Sequence, residues 1–203
     1  MCGIYGRINK KSEINRGSFL SSLDTLKSRG PDNSGTYFDK NIGLGFRRLS
    51  IIDLSEKGNQ PMFDGSGDVS IVFNGEIYNF KELKKELEAD FEWKSQSDTE
   101  VLLNGYKKWG FDGLLQKIEG MFAFAIYDKR KDLLFFARDH FGKKPFYYYF
   151  DEDTFIFASE IKAIINDSEI KKKCQVDKLS LSKYLFYGYV PSPNSIFDKI
   201  KKL

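Results

Sequence analysis

The 203 residues contain a single histidine, and that shortage constrains the chemistry first. A thiol nucleophile commonly borrows a histidine as its base. Here a Cys–His dyad would have to use His140, which lies in ARDHFGKKP at the end of a predicted strand. In such a charged turn, a surface or hydrogen-bonded histidine is the ordinary outcome. Cysteine is scarce as well: Cys2 and Cys174 stand at opposite ends of the chain. There is no CxxC pair and no HxxxH spacing, so no metal site is expected. No apolar run approaches the roughly 20 residues of a spanning helix, and MCGIYGRINKK lacks a signal-peptide core. A cytoplasmic chain away from membranes is therefore expected, with both thiols reduced. An excess of one charge is also missing. Lys and Arg number 32 against 29 Asp and Glu, a net +3, which offers no basic field for nucleic acid.

What is present suits one domain, since 41% hydrophobic residues suffice for a single substantial core. Over residues 18–27, Phe19, Leu23 and Leu26 recur at helical spacing, and the helix should end before Arg29-Gly30-Pro31. Short apolar runs at 34–38, 42–46 and 69–74, punctuated by Gly, Asp and Asn, read as strands. Asn79, with Glu82 three residues on, reads as a helix cap with its reciprocal partner. Ser97-Asp98 reads as a second cap, before a helix whose Val101, Leu102, Tyr106 and Trp109 share a face. MFAFAIYD and LLFFARD, joined by KRKD, predict a hairpin, and FYYYF and TFIFAS predict two further strands. Helical patterns return at 160–166 and 177–187. Strands and helices thus fall into blocks, which favours a layered α+β fold over a doubly wound parallel sheet. The prolines of YVPSPNSIFDKIKKL break the last helix, so residues 191–203 are expected to form a linker out of a domain spanning 2–190.

The N-terminus carries the first chemical signal. Met1 is generally removed before a small residue, and Cys2 would then hold its thiol and a free α-amine on one residue. That amine has an unperturbed pKa of roughly 7.7–8.0, so nucleophile and base come together. A second-position cysteine with no function would look identical. Likewise Asn74-Gly75, taken alone, reads most simply as a hairpin turn.

Seven segments, MCGIYG, RGPDNSG, LGFRRLSIIDLSEKGNQPM, IVFNGEIYN, SDTEVLL, GMFAFAIYD and ARDHFGKKPFYY, resemble in order and spacing the glutaminase domain of asparagine synthetases. These are class II glutamine amidotransferases, and the resemblance runs from residue 2 to about 165. It implies the N-terminal nucleophile hydrolase fold, a four-layer αββα sandwich of two stacked antiparallel sheets. It also implies roles: Cys2 as nucleophile with its α-amine as base, and the Asn74 amide and Gly75 backbone N–H as oxyanion hole. Arg48 would bind the α-carboxylate of glutamine, and Glu76 and Asp98 its α-ammonium. Plainer readings remain open, Arg48 as a surface ion-pair partner and Asp98 as a helix cap, and Asp98 can do both.

Hydrolysis of glutamine through a γ-glutamyl thioester needs no cofactor in this domain. In the family the ammonia passes to a C-terminal synthetase domain that uses ATP and Mg²⁺ to make asparagine from aspartate; these residues contain no SGGxDS-type loop for it. The resemblance admits a homodimer. Two rivals are a related amidotransferase acting on another carboxylate, such as a uronic acid, and a non-catalytic regulatory domain. Loss of the nucleophile would mark the second, and Cys2 is present. The sequence departs from the family at Phe46, where many members have histidine; the expected effect is altered packing near the carboxylate site.

Overall fold

The computed structural model describes residues 1–203, and the alternation of buried side chains along its strands sets out the layers. The first half contains β1 (Gly3–Asn9), α1 (Arg16–Asp24), β2 (Asn33–Asp39), β3 (Ile42–Arg48), β4 (Met62–Phe63), β5 (Val69–Ile77) and α2 (Phe80–Leu87). Then follow α3 (Asp98–Lys117), β6 (Gly120–Asp128), β7 (Leu133–Arg138), β8 (Tyr147–Phe150) and β9 (Thr154–Ala158). The chain closes with α4 (Ile161–Ile165), α5 (Ser168–Lys173), α6 (Lys178–Tyr187) and β10 (Ile200–Lys202). One sheet has the order β10-β8-β9-β1-β3-β2 and the other β4-β5-β6-β7. Every named pairing is antiparallel.

Along β5, Ile71 and Phe73 join Leu83 and Leu87 of α2 and Val101 and Leu102 of α3 in one cluster, while Val72 joins another. That second cluster holds Ile4, Leu44 and Phe46 of the six-stranded sheet against Val72, Ala123 and Ala125 of the four-stranded one. A third packs Phe19, Leu23 and Leu26 of the first helical segment, with Ala163 and Ile164 of α4, on the outer face of the six-stranded sheet. Three apolar interfaces separate four layers: helices, sheet, sheet, helices. A period of two gives each strand two faces, and both are used because each sheet is covered on both sides. This is the expected α+β sandwich. No helix is long and apolar enough to cross a membrane.

Several local expectations need correction. Asn79 starts α2 without capping it: Nδ2 donates to Lys117 O at 2.8 Å and Oδ1 accepts from Glu119 N at 3.0 Å, tying α2 to the end of α3. Asn74-Gly75 is not a turn but lies inside β5, in register with Ala123 and Phe122. The pattern after Ser97 spans two helical stretches joined at Gly110, whose φ of 74° breaks the run. Helix α5, capped by Asp167, was not anticipated. Residues 191–203, read as a linker, fold back onto the domain: β10 pairs with β8, Val176 bridges to Phe197, and Ile200 is fully buried.

Candidate active site

Cys2 lies immediately before β1, the strand flanked by β9 and β3 in the six-stranded sheet. Its Sγ accepts from Leu49 N at 3.4 Å and donates to Leu49 O at 3.5 Å, just beyond the end of β3. On its other side, Arg29 Nε donates to Cys2 O at 2.9 Å while Nη1 donates to Glu160 Oε1 at 3.1 Å. The nucleophile candidate is thus clamped at both its side chain and its carbonyl. Gly30 allows the clamp, because a Cβ there would sit 2.2 Å from the backbone carbon of Arg47. Burial pushes the Cys2 thiol above its ordinary pKa. The Leu49 hydrogen bond pulls against it, as do the N-terminal amine, here that of Met1, and the Arg48 and Lys144 cations.

Asn74 comes from the facing sheet. It follows Val72 by two residues on β5, so its side chain shares the inter-sheet face, and it is 1% exposed. Its Nδ2 is buried with no hydrogen-bond partner. A buried donor left unpaired costs about 1–3 kcal/mol, so its retention asks for a reason. Glu76 lies two residues further along the same face. Gly75 is tightly placed, since a Cβ would come 2.4 Å from Met121 O and 2.8 Å from the Phe122 Cα.

Asp98 opens α3 after Ser97, whose Oγ caps the helix by accepting from Thr99 N at 3.1 Å. Asp98 Oδ2 accepts from Ile77 N at 3.0 Å, so the residue also pins the helix start to β5. It is 4% exposed. Burial pushes its pKa up to about 6; hydrogen bonds from the Ile77, Thr99 and Asp98 N–H groups oppose this, and the nearby Glu76 charge adds to it.

Arg48, at the end of β3, organises the loop that follows. It donates from Nη1 to Ser55 O and to Asn59 Oδ1, each at 2.7 Å, and from Nη2 to Asp53 O. A guanidinium has five N–H donors, so three are committed here and two remain for a ligand. Arg48 is therefore a buried loop anchor, not a surface ion-pair partner.

Cys2, Arg48, Gly75, Glu76 and Asp98 all line one cleft, with Phe73 and Gly75 bringing the flanks of Asn74 to its wall. Phe46 lines it too, 2% exposed and paired with Ile4 of β1, filling inter-sheet space. His140 lies outside, on an exposed turn. Cys174 packs at the edge of the outer helical cluster and is free, as is Cys2.

Three features of the cleft escaped residue-level reading. Gln60 is buried and bridges layers, with Oε1 accepting from Phe73 N at 2.6 Å and Nε2 donating to Thr99 Oγ1 at 3.1 Å. Arg29 clamps Cys2 as described. Ile51 and Ile52 stand half-exposed at the mouth, on a loop that Asp53 Oδ2 ties to Gln96 N at 3.0 Å. The only advance signal was their place inside the segments RGPDNSG and LGFRRLSIIDLSEKGNQPM.

The family described as glutamine amidotransferase domain matches residues 1–203. A putative glutamine-hydrolysing asparagine synthetase of Methanocaldococcus jannaschii is 42% identical across all of this chain, which covers 42% of that relative. Asparagine synthetases 1 and 3 of Bacillus subtilis are each 40% identical, and the chain covers 32% and 33% of them. The chain thus spans less than half the length of these relatives. Among solved structures, glutamine phosphoribosylpyrophosphate amidotransferase of B. subtilis superposes with a TM-score of 0.68 at 21% identity, over 80% of this chain and 43% of that one. At that identity the likeness speaks for the fold, two stacked antiparallel sheets between helices. With the family matched from end to end, the chain belongs to the glutamine amidotransferase domain family.

Proposed function

We propose that this domain hydrolyses glutamine to glutamate and ammonia with Cys2 as the nucleophile. The observation that carries the reading is a cleft that brings the clamped Cys2 thiol together with Glu76, Asp98 and Arg48, with Asn74, whose buried Nδ2 has no partner, between the lining residues Phe73 and Gly75. Removal of Met1, 54% exposed, turns the Cys2 nitrogen from an amide into an amine with a pKa of roughly 7.7–8.0. That amine, through a water, takes the thiol proton. Sγ bonds to the side-chain carbonyl carbon of glutamine, and the oxygen gathers negative charge facing Asn74 Nδ2 and the Gly75 N–H. One such donor is worth about 2.7–4 kcal/mol in the transition state. The carbon–nitrogen bond then breaks, the amine returns its proton to the departing nitrogen, and ammonia leaves. Water adds to the thioester by the same route and releases glutamate, restoring the thiol.

Glutamine is oriented by its head group. The two uncommitted N–H groups of Arg48 meet the α-carboxylate, and Glu76 with Asp98 meets the α-ammonium. Two carboxylates for one cation explain why a buried Asp98 is kept beside Glu76. The destination proposed for the ammonia is a synthetase domain of the kind the longer relatives carry, using ATP and Mg²⁺ to form asparagine.

Glutamate release by the wild type, by Cys2→Ala and by a form that retains Met1 tests this. Only the wild type, processed to begin at Cys2, is expected to be active. Equal rates in the three would refute the mechanism.

A further inference from the structure

A second depression, of about 310 Å³, shares no lining residue with the cleft of Cys2. Small-molecule sites run from roughly 300 to 1,000 Å³, so this one suits a small ligand. Three stretches of chain enclose it: the turn between β4 and β5, the connection from α2 to α3, and one face of α3. On that face Glu100 and Asn104 stand one turn apart, and Lys107 lies three residues beyond Asn104, so the three point the same way.

Most charged groups lining it already have partners. Asp64 Oδ2 meets Lys107 Nζ at 2.7 Å, and Asp90 Oδ2 meets Lys108 Nζ at 3.0 Å. Glu100 accepts from Lys94 N at 2.8 Å and from Ser95 N and Ser95 Oγ, each at 2.7 Å. Two charges are left over, one of each sign: the Glu92 carboxylate and the Lys94 ammonium, both on exposed residues, enter no salt bridge. Exposed charges alone need no ligand, since water satisfies them. Asn104 is a different matter: it lines the same depression, is 6% exposed, and its Nδ2 is buried with no hydrogen-bond partner. A buried polar group without a partner is rare in native structures. The terminal torsion of asparagine is broad and nearly two-fold, so the amide can turn its N–H groups to an occupant.

We propose that this depression binds a small free α-amino acid as its zwitterion. The carboxylate meets the Lys94 ammonium and the Asn104 amide, and the α-ammonium meets Glu92. An apolar side chain lies against Phe91, itself packed on the cluster formed by β5, α2 and α3. An occupant with a single charge would leave Glu92 or Lys94 unmatched, and one without an acceptor would leave the Asn104 donor unsatisfied. Because no residue of this site belongs to the cleft of Cys2, its occupancy is measured separately from glutamine hydrolysis.

Heteronuclear NMR of the 203-residue chain titrated with L-leucine is the direct test. Saturable shifts are expected in the backbone amides of residues 64–68, 90–94 and 103–107 and in the Asn104 side-chain amide. Isopentylamine and isocaproate, which are leucine without its carboxylate and without its ammonium, should each bind at least tenfold more weakly. Asn104→Leu keeps the size of the side chain and removes only an unpaired donor, and Glu92→Gln changes an exposed residue, so both variants should melt within a few degrees of wild type. Each should weaken leucine binding at least tenfold. Absence of saturation by about 10 mM leucine would overturn the proposal, as would equal binding by the two variants and wild type or by the singly charged analogues. So would shifts confined to Cys2, Arg48 and Asp98, since the amino acid would then occupy the cleft of Cys2.

Discussion

Asp98, in the binding role proposed for it, is a residue expensive to keep. Its carboxyl is held near pH 6 in the folded chain, above the ordinary value of 3.8, because burial disfavours the charge and Glu76 repels it. The folded state therefore binds the proton more tightly than the unfolded one. The resulting instability is absent below about pH 4, grows as pH rises through about 6, and is complete above it. Asp98→Asn keeps an acceptor for the Ile77 N–H and should stabilise the chain by about 1–3 kcal/mol at pH 7.5, a gain that vanishes at pH 4 in thermal melts. The same substitution should raise KM for glutamine at least tenfold, since one proposed partner of the ammonium is neutralised. In the wild type, KM should climb as pH falls below about 6, and Asp98→Asn should flatten that limb. A wild-type KM level from pH 5 to 8 would contradict the role. Asn74 offers the complementary case. Its Nδ2 is already unpaired, so Asn74→Ala removes a desolvated donor and should leave the melting temperature within a few degrees, yet lower kcat about 100-fold or more.

At the scale of elements, Gln60 holds β5 to the start of α3, and through it the Asn74–Glu76 segment to Asp98. Gln60→Ala strands the buried Phe73 N–H, so a loss of about 1–3 kcal/mol in urea unfolding is expected, together with a raised KM. Glutamine, used at the NQPM segment, gave no hint of this, because its partners lie in β5 and α3. The same physics separates what was legible from what was not. Phe19, Leu23 and Leu26 announced their helix because one buried face repeats at helical spacing, and the MFAFAIYD hairpin announced itself by strand runs across a short turn. Asn79 misled because its side chain satisfied distant backbone groups at Lys117 and Glu119 in preference to its own helix. Asn74-Gly75 looked like a turn because turn propensity is local, whereas pairing with β6 is not. Residues 191–203 looked like a linker for the same reason: β10 finds β8, some fifty residues earlier in the chain, and no short-range pattern records that. The site residues were legible only as members of an ordered set of segments. Their chemistry depends on two sheets meeting, and no spacing within one strand encodes it.

At the scale of the molecule, the inter-sheet layer is the part on which the proposed catalysis depends. Cys2, just before β1, and Arg48 lie on the six-stranded sheet's side, Asn74, Gly75 and Glu76 belong to the four-stranded sheet, and the layer between holds Phe46, Phe146 and Phe157. Phe146 and Phe157 stack with centroids 5.2 Å apart and planes 11° from parallel, both fully buried. The proposed nucleophile and oxyanion donors keep their separation only while this layer is intact. Phe157→Ala should therefore cost about 3–5 kcal/mol of stability, as expected for a large cavity in a packed core. A misplacement of about 1 Å can lower a rate about 100-fold. The variant should accordingly lose more in kcat than in KM even where it remains folded, because in the proposed mechanism Glu76 and Asp98 bind the head group from the four-stranded side. In the wild type, glutaminase activity and tyrosine fluorescence should disappear in a single coincident urea transition, since no half of the site survives separation of the sheets. Activity lost well before the fluorescence change would mean that the cleft opens while the layer holds. The loop of Ile51 and Ile52, and not the inter-sheet packing, would then be the element that sets the geometry.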